Sequence, residues 1–432
     1  MQERPVGDGR APATGDPMAT IPTDRSPDST LAFLRAGYRF IGQRCDRYGT
    51  DIFQTRLLLE PTICLRGRAA AELFYDADRF TREGAMPARG QRTLTGRGGV
   101  QGLDGDAHRD RKAIYLTLMT PTAVRRLGQL FTDEWQARLP AWELAGTVPL
   151  HTEVASMLTR AVCAWAGVPL ADGELDRRTA DLLAMIDSAA AIGPRHWRGR
   201  LGRHRGEHWV GDLVEQVRTG SLSPPEGTAL RAFAEHRDGD GHLLPRRVAA
   251  VELLNVLRPT VAVARFVVFT ALALHDHPAW RQRVTGDADA AGQFVQEVRR
   301  YYPFFPVTAA RVRRDFDWQG YHFPRGRRVL LDLYGTDHHP ELWPEPERFR
   351  PERFAGWPGD PYTLIPQGGG DHLHGHRCAG EWITIELMKR SLAVLTEVIR
   401  YDVPPQNLTV DLSRMPALPA SGFVITAVRR TG

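Results

Sequence analysis

The chain has 432 residues, 42% hydrophobic and 25% charged, which provides for a large buried core and excludes a fibrous or wholly disordered protein. Its net charge of +5, from 56 Lys and Arg against 51 Asp and Glu, is too small and too scattered to argue for nucleic acid as a partner. Cys45, Cys64, Cys163 and Cys378 stand far apart without paired spacing, which excludes a disulfide scaffold and points to a reducing, cytoplasmic compartment.

Residues 1–20 are rich in Pro, Gly, Asp and Thr and have no apolar run. They read as a disordered extension, with Met18 as an alternative start, ahead of one domain over 21–432. Asp51–Gly67 reads as two strands with a Pro turn between them, and Gly67–Asp76 as a short helix. Helical periodicity follows at Gly105–Met119, Val124–Ala145, Val154–Val168, Arg178–Ile192 and Gly206–Gly220. The densest basic stretch, Arg195–Trp209, reads as a solvated surface loop or a face for acidic partners.

The apolar run Val248–Leu274 is long enough to cross a bilayer, but Glu252, Asn255, Arg258 and Arg265 make it a buried helix of a large domain with no membrane insertion. Gly286–Pro303 reads as a helix ended before Pro303, and Tyr321–Pro340 as short strands turning at Arg325-Gly326. The last helix is Cys378–Tyr401. The whole is mainly α with small β-sheets around a single core.

Three stretches carry chemistry. In "PQGGGDHLHGHRCAGE", Pro366–Glu381, glycines precede His372, His374, His376 and Cys378. The alternating spacing does not suit zinc. A cysteine at a helix start can be an anionic ligand to haem iron, while another metal or a structural cysteine remain alternatives for this stretch alone. Glu297 and Arg300 share a helix face, and Arg353 lies in the aromatic loop "FRPERF".

In this order and spacing the three sets together resemble the cytochrome P-450 haem-thiolate superfamily. The resemblance implies its single large, mainly α fold, haem b ligated by Cys378 with Gly380 in the turn, and a structural lock of Glu297, Arg300 and Arg353. Two departures define a branch. The cysteine loop is longer and richer in glycine, and the mid-chain helix has Arg258-Pro259 where an acid–threonine pair is usual. The stretches "IPQGGG", "GHRCAGEWITIE", "RRYYPF", "LLDLYGTDHHPELW", "GPRHW" and "LLNVLRP" are similar to the bacterial fatty-acid peroxygenases, over roughly Ile21 to Val424.

That resemblance implies peroxide-driven oxidation of a fatty acid at the carbon α or β to its carboxyl, with decarboxylation to a terminal alkene as a second outcome, and no need of a redox partner. A buried guanidinium needs an anion, and the resemblance makes the substrate carboxylate that anion for Arg258, with Pro259 opening the helix beside it. The held carboxylate then serves as general base and acid on hydrogen peroxide. Gln101 occupies a distal position where the family's histidine variants lean to decarboxylation.

For the haem environment the resemblance implies Arg82, His108, Lys112 and Tyr302 near the propionates, and Gln367 and Gly368 beside the cysteine. For the tail pocket it implies Thr95, Ile186, Ala189, Ala262, Phe304, Phe305 and Val307. Thr95 and Ala189 stand where relatives often have Phe, and Phe305 where they often have Gly. Rival readings are a reductase-dependent monooxygenase on another carboxylic acid, and a haem-binding sensor without turnover.

Overall fold

The structure is a computed structural model that describes residues 20–431, so all but the last residue of the expected extension, Met18 included, lies outside the described residues. The long apolar run forms the helices Arg246–Ala262 and Ala264–Asp276, joined at Val263. Over its most apolar window this rod is 94% buried, which makes it the central helix of the core despite a length sufficient for a bilayer. The helices Leu150–Ala166, Leu175–Asp187, Pro194–Arg218 and Glu381–Ala393 pack against it, and Pro121–Leu144 packs on the Leu150–Ala166 and Glu381–Ala393 helices.

The β structure lies to one side. A five-stranded sheet runs in the order Ile52–Leu57, Glu60–Leu65, Arg328–Asp332, Val307–Val312 and Phe80–Thr81. Glu60–Leu65 pairs in parallel with Arg328–Asp332 and the other neighbours are antiparallel. A three-stranded sheet joins Val148–Pro149, Val424–Arg430 and Ile399–Asp402.

Three local expectations are corrected. The turn between the first two strands is Leu58-Leu59, at φ 55° and 62°, and Pro61 lies within the second strand. The two turn amides donate to Thr30 Oγ1 and Asp28 Oδ2, both at 2.6 Å, which stabilises this left-handed geometry in residues that otherwise avoid it. The last helix starts at Glu381, not at Cys378, passes into a wider turn over Val394–Val398 and gives way to the strand Ile399–Asp402.

The third correction concerns the basic stretch. It is not a loop: the helix Pro194–Arg218 runs through it. Gly202 faces the Leu175–Asp187 helix so closely that a Cβ there would lie 2.8 Å from the Asp181 carbonyl oxygen. Glycine therefore sits on the buried side, where periodicity would have placed leucine. Several cations of this helix are paired: Arg205 with Asp181, and Arg203 with Glu207 at 2.7 Å.

Candidate active site

Cys378 lies in a loop braced from several directions. Its amide donates to the Gln367 carbonyl oxygen at 3.2 Å, and Gln367 Nε2 lies 4.0 Å from Cys378 Sγ and 2.9 Å from Thr384 Oγ1. Arg299 Nη2 donates to Gln367 Oε1 at 3.2 Å and to Glu381 Oε1 at 2.5 Å. Arg377 Nε donates to Glu381 Oε2 at 2.6 Å. Burial opposes ionisation of Glu381, but Arg299 and Arg377 outweigh it and hold its pKa down at about 2. The loop is thereby tied to the first turn of the Glu381–Ala393 helix by an ion-pair triad absent from the expected site residues.

Glycine shapes the same loop. Gly368 and Gly370 have φ of 88° and 79°, and Cβ atoms there would stand about 3 Å from Tyr75, at 3.1 and 3.0 Å. Burial pushes the Cys378 thiol up, opposed by the Gly380 backbone N–H, so the loop alone does not make a thiolate. A metal ion bound there would supply the positive charge that favours the thiolate.

Two buried cations lie nearby outside any ion pair, and the Asp104 carboxylate beside Arg82 accepts from its backbone amide at 3.0 Å. Arg82 and Lys112 are 8% and 3% exposed, and among the described residues neither has an acidic group within ion-pair distance. Burial lowers Arg82 to about 10 and Lys112 to about 8, so both stay charged at neutrality. Arg82 Nη1 donates to the Ala309 carbonyl oxygen at 2.9 Å. Lys112 Nζ donates to the carbonyl oxygens of Gly375 and, at 3.0 Å, Arg377, which leaves one of its three donors.

His108 lies with its ring 4.0 Å from that of His376. Burial, and then His376, hold its pKa down at about 3, so it meets this group as a neutral imidazole. Tyr302 is buried, and its ring stacks on Phe269 at 4.8 Å and lies 6.2 Å from Phe349. Two buried cations outside any ion pair among the described residues, beside a cysteine loop opened by glycine, fit haem b: Cys378 would be its ligand, and Arg82 and Lys112 would meet the propionates.

The structural lock is assembled. Arg300 Nε and Nη2 donate to Glu297 Oε2 and Oε1 at 2.7 and 2.8 Å, and both side chains are fully buried. Arg353 Nε reaches Glu297 Oε1 at 3.3 Å, while its other nitrogens and those of Arg300 donate to carbonyls of 337–348.

Arg258 is the opposite case. It is 5% exposed, its Nε has no hydrogen-bond partner, and no acid lies within ion-pair distance among the described residues. Glu252, the one internal partner that proximity in sequence suggests, pairs instead with Arg111 at 2.6 Å and accepts from Tyr115 Oη at 2.7 Å. Burial first, and Arg203 second, lower Arg258 to about 9, while Cys378 is near enough for a thiolate there to raise it. Arg258 therefore stays a cation at neutrality, with no ion-pair partner among the described residues.

Pro259 lies inside its helix and offers no N–H to the Asn255 carbonyl one turn below. The helix nevertheless continues to Ala262 and is interrupted only at Val263, whose amide donates to Thr260 O at 3.1 Å. Gln101 is exposed, and its Oε1 accepts from Asn255 Nδ2 at 3.2 Å. Of the expected tail pocket, Thr95, Ile186, Ala262 and Phe304 are buried, and Ala189, Phe305 and Val307 half-buried. Phe304 stacks on Phe266 at 4.3 Å, one residue past Arg265 on the central rod.

The cytochrome P-450 family model matches residues 291–421, the stretch that holds the lock and Cys378. Among solved structures, cytochrome P450SP alpha in complex with (R)-ibuprophen is 51% identical, with 94% of this chain and 100% of that chain covered at a TM-score of 0.92. Cytochrome P450EX alpha with myristic acid is 45% identical over 95% of this chain and 99% of that chain, at 0.92. A single-substitution variant of cytochrome P-450 OleT in complex with arachidonic acid is 39% identical over 96% and 99%, at 0.93. The chain belongs to the cytochrome P-450 superfamily of haem-thiolate proteins. Within it the chain falls in the fatty-acid peroxygenase branch.

Proposed function

We infer that this protein is a fatty-acid peroxygenase that uses hydrogen peroxide to hydroxylate the carbon α or β to the carboxyl, with decarboxylation to a terminal alkene as a minor product. The observation that carries this reading is Arg258: a buried cation in an apolar helix, its Nε without a partner and no acid within ion-pair distance among the described residues. A charge-assisted pair with a carboxylate satisfies it, and the planar guanidinium fixes the carboxylate's orientation as an ammonium would not.

Haem b on Cys378 supplies the capacity to cleave the O–O bond and to take hydrogen from an alkyl carbon. The chain's own residues do the rest. Arg82 and Lys112 hold the propionates. Arg258 binds the fatty-acid carboxylate, so the nearest carbons are those presented for oxidation. The carboxylate oxygen accepts a proton from hydrogen peroxide and returns it to the departing oxygen, a task for which the helix has no acid–threonine pair. Thr95, Ile186, Ala189, Ala262, Phe304, Phe305 and Val307 line the apolar path of the alkyl tail, and Gln101 offers a neutral amide on the distal side. Four free cysteines support a reducing, cytoplasmic setting.

A mixture of saturated fatty acids given to the holoenzyme tests the reading. With peroxide alone, 2- and 3-hydroxy acids should accumulate. Turnover only with NADPH and a reductase would contradict it.

A further inference from the structure

Arg203 belongs to none of the sequence motifs and lies on the basic helix Pro194–Arg218, yet it is 2% exposed. All three of its nitrogens are engaged. Nε donates to Glu207 Oε1 at 2.7 Å, Nη1 to the Leu94 carbonyl oxygen at 3.1 Å, and Nη2 to the Thr95 carbonyl oxygen at 3.3 Å. A buried arginine spent on two consecutive carbonyls is a clamp on the backbone that carries them.

The clamped segment, Leu94–Gly102, carries Thr95 and Gln101 and includes Gly96, Gly98, Gly99 and Gly102. Gly96 and Gly98 both take φ of 79°, and a Cβ at Gly96 would stand 2.8 Å from Val251 of the central helix. Such a segment has few side chains with which to hold its own course. Two outside side chains hold it: Arg203 from one helix and Asn255 from the other. Asn255 Nδ2 donates to the Thr95 carbonyl oxygen at 3.0 Å and to Gln101 Oε1 at 3.2 Å, so that carbonyl receives both clamps. Arg203 also stands close enough to Arg258 to act on its charge, and of the two guanidiniums only Arg203 has a carboxylate.

We propose that Arg203 is a positioning residue for fatty-acid oxidation: it holds the Thr95–Gln101 segment against the central helix and thereby sets which carbon of the anchored chain is oxidised. The proposal rests on Arg258 anchoring the carboxylate. With the head fixed there, the height of the segment opposite decides how the first carbons lie. A strap that served stability alone would leave the products unchanged.

The test compares wild-type holoenzyme with Arg203→Met and Arg203→Lys, each checked for its thiolate spectrum and thermal midpoint. In Arg203→Met the α:β ratio of hydroxy acids should move by roughly two- to tenfold, the range that one net hydrogen bond commands. KM for the fatty acid should change more than kcat. Amide exchange should quicken at 96–102 and not along 246–262. Arg203→Lys, with one point of contact in place of a fork, should recover KM more fully than the product ratio.

A folded Arg203→Met with the wild-type ratio, KM and exchange pattern overturns the proposal while leaving the peroxygenase reading intact. Absence of peroxide-driven oxidation in the wild type overturns both. If the methionine variant does not fold, Arg203→Gln, which keeps a single donor nitrogen in place of three, is measured in the same way; a wild-type ratio there is equally fatal.

Discussion

Two buried arginines of this chain show opposite uses of the same side chain. Arg300 lies against Glu297, both fully buried, and its remaining donors reach the carbonyl oxygens of Asp337 and Arg348. Arg258 is buried nearly as deeply, and its Nε has no partner. Desolvating a guanidinium is unfavourable in both places. At Arg300 the fold offsets the penalty internally, so the group serves the architecture. At Arg258 the offset must come from outside the chain, so the group serves a ligand.

The largest effect should follow from breaking the satisfied pair. Glu297→Ala leaves Arg300 buried and uncompensated, which should destabilise the protein by about 3–5 kcal/mol and abolish haem incorporation in the folded state. Denaturant unfolding and the haem-to-protein absorbance ratio measure it. Wild-type stability would mean that the lock is ornamental.

Arg258→Met should do the reverse. Without ligand it removes an unpartnered buried cation, so its thermal midpoint should equal or exceed that of the wild type. The sign with pH follows from the lowered value of about 9. Between that value and the ordinary arginine value the unfolded chain binds more protons than the folded one, so wild-type stability rises with pH there. The penalty is present in full below about 9, and the difference between the two proteins should narrow only above it. A saturating fatty acid should reverse their order, adding about 2.7 kcal/mol to the wild type at a hundred times Kd and little to the variant.

The smallest effect should come from Gln101→His. Gln101 touches the network only through Asn255, and a histidine there offers a titratable proton near neutrality. The alkene fraction should rise with overall turnover changed little, as read by product chromatography. An unchanged fraction would move that control to the Arg203 clamp.

Much of this contrast is legible in the sequence. The central helix is carried by a local pattern, an apolar run broken by charge, whereas the lock and the role of Cys378 are legible only in the order and spacing of three stretches that together resemble the family. The missing parts depend on tertiary pairing. Arg203 lies in a stretch whose charge suggests a loop, because glycine occupies the helix face that hydrophobic periodicity would have marked. Arg299 precedes Arg300 on the same helix but turns to Glu381, and nothing local distinguishes the two.

The most direct test of the central claim is initial peroxide-driven oxidation of a fatty acid and of the alcohol of equal chain length, in wild type and Arg258→Met, with the thiolate spectrum confirmed in both. If the carboxylate held by Arg258 is part of the catalyst, the wild type oxidises the acid and hardly the alcohol. The variant should then lose roughly 10²–10⁴-fold of its rate on the acid. Oxidation of the acid by Arg258→Met at the wild-type rate, or equal rates on acid and alcohol in the wild type, would contradict the account.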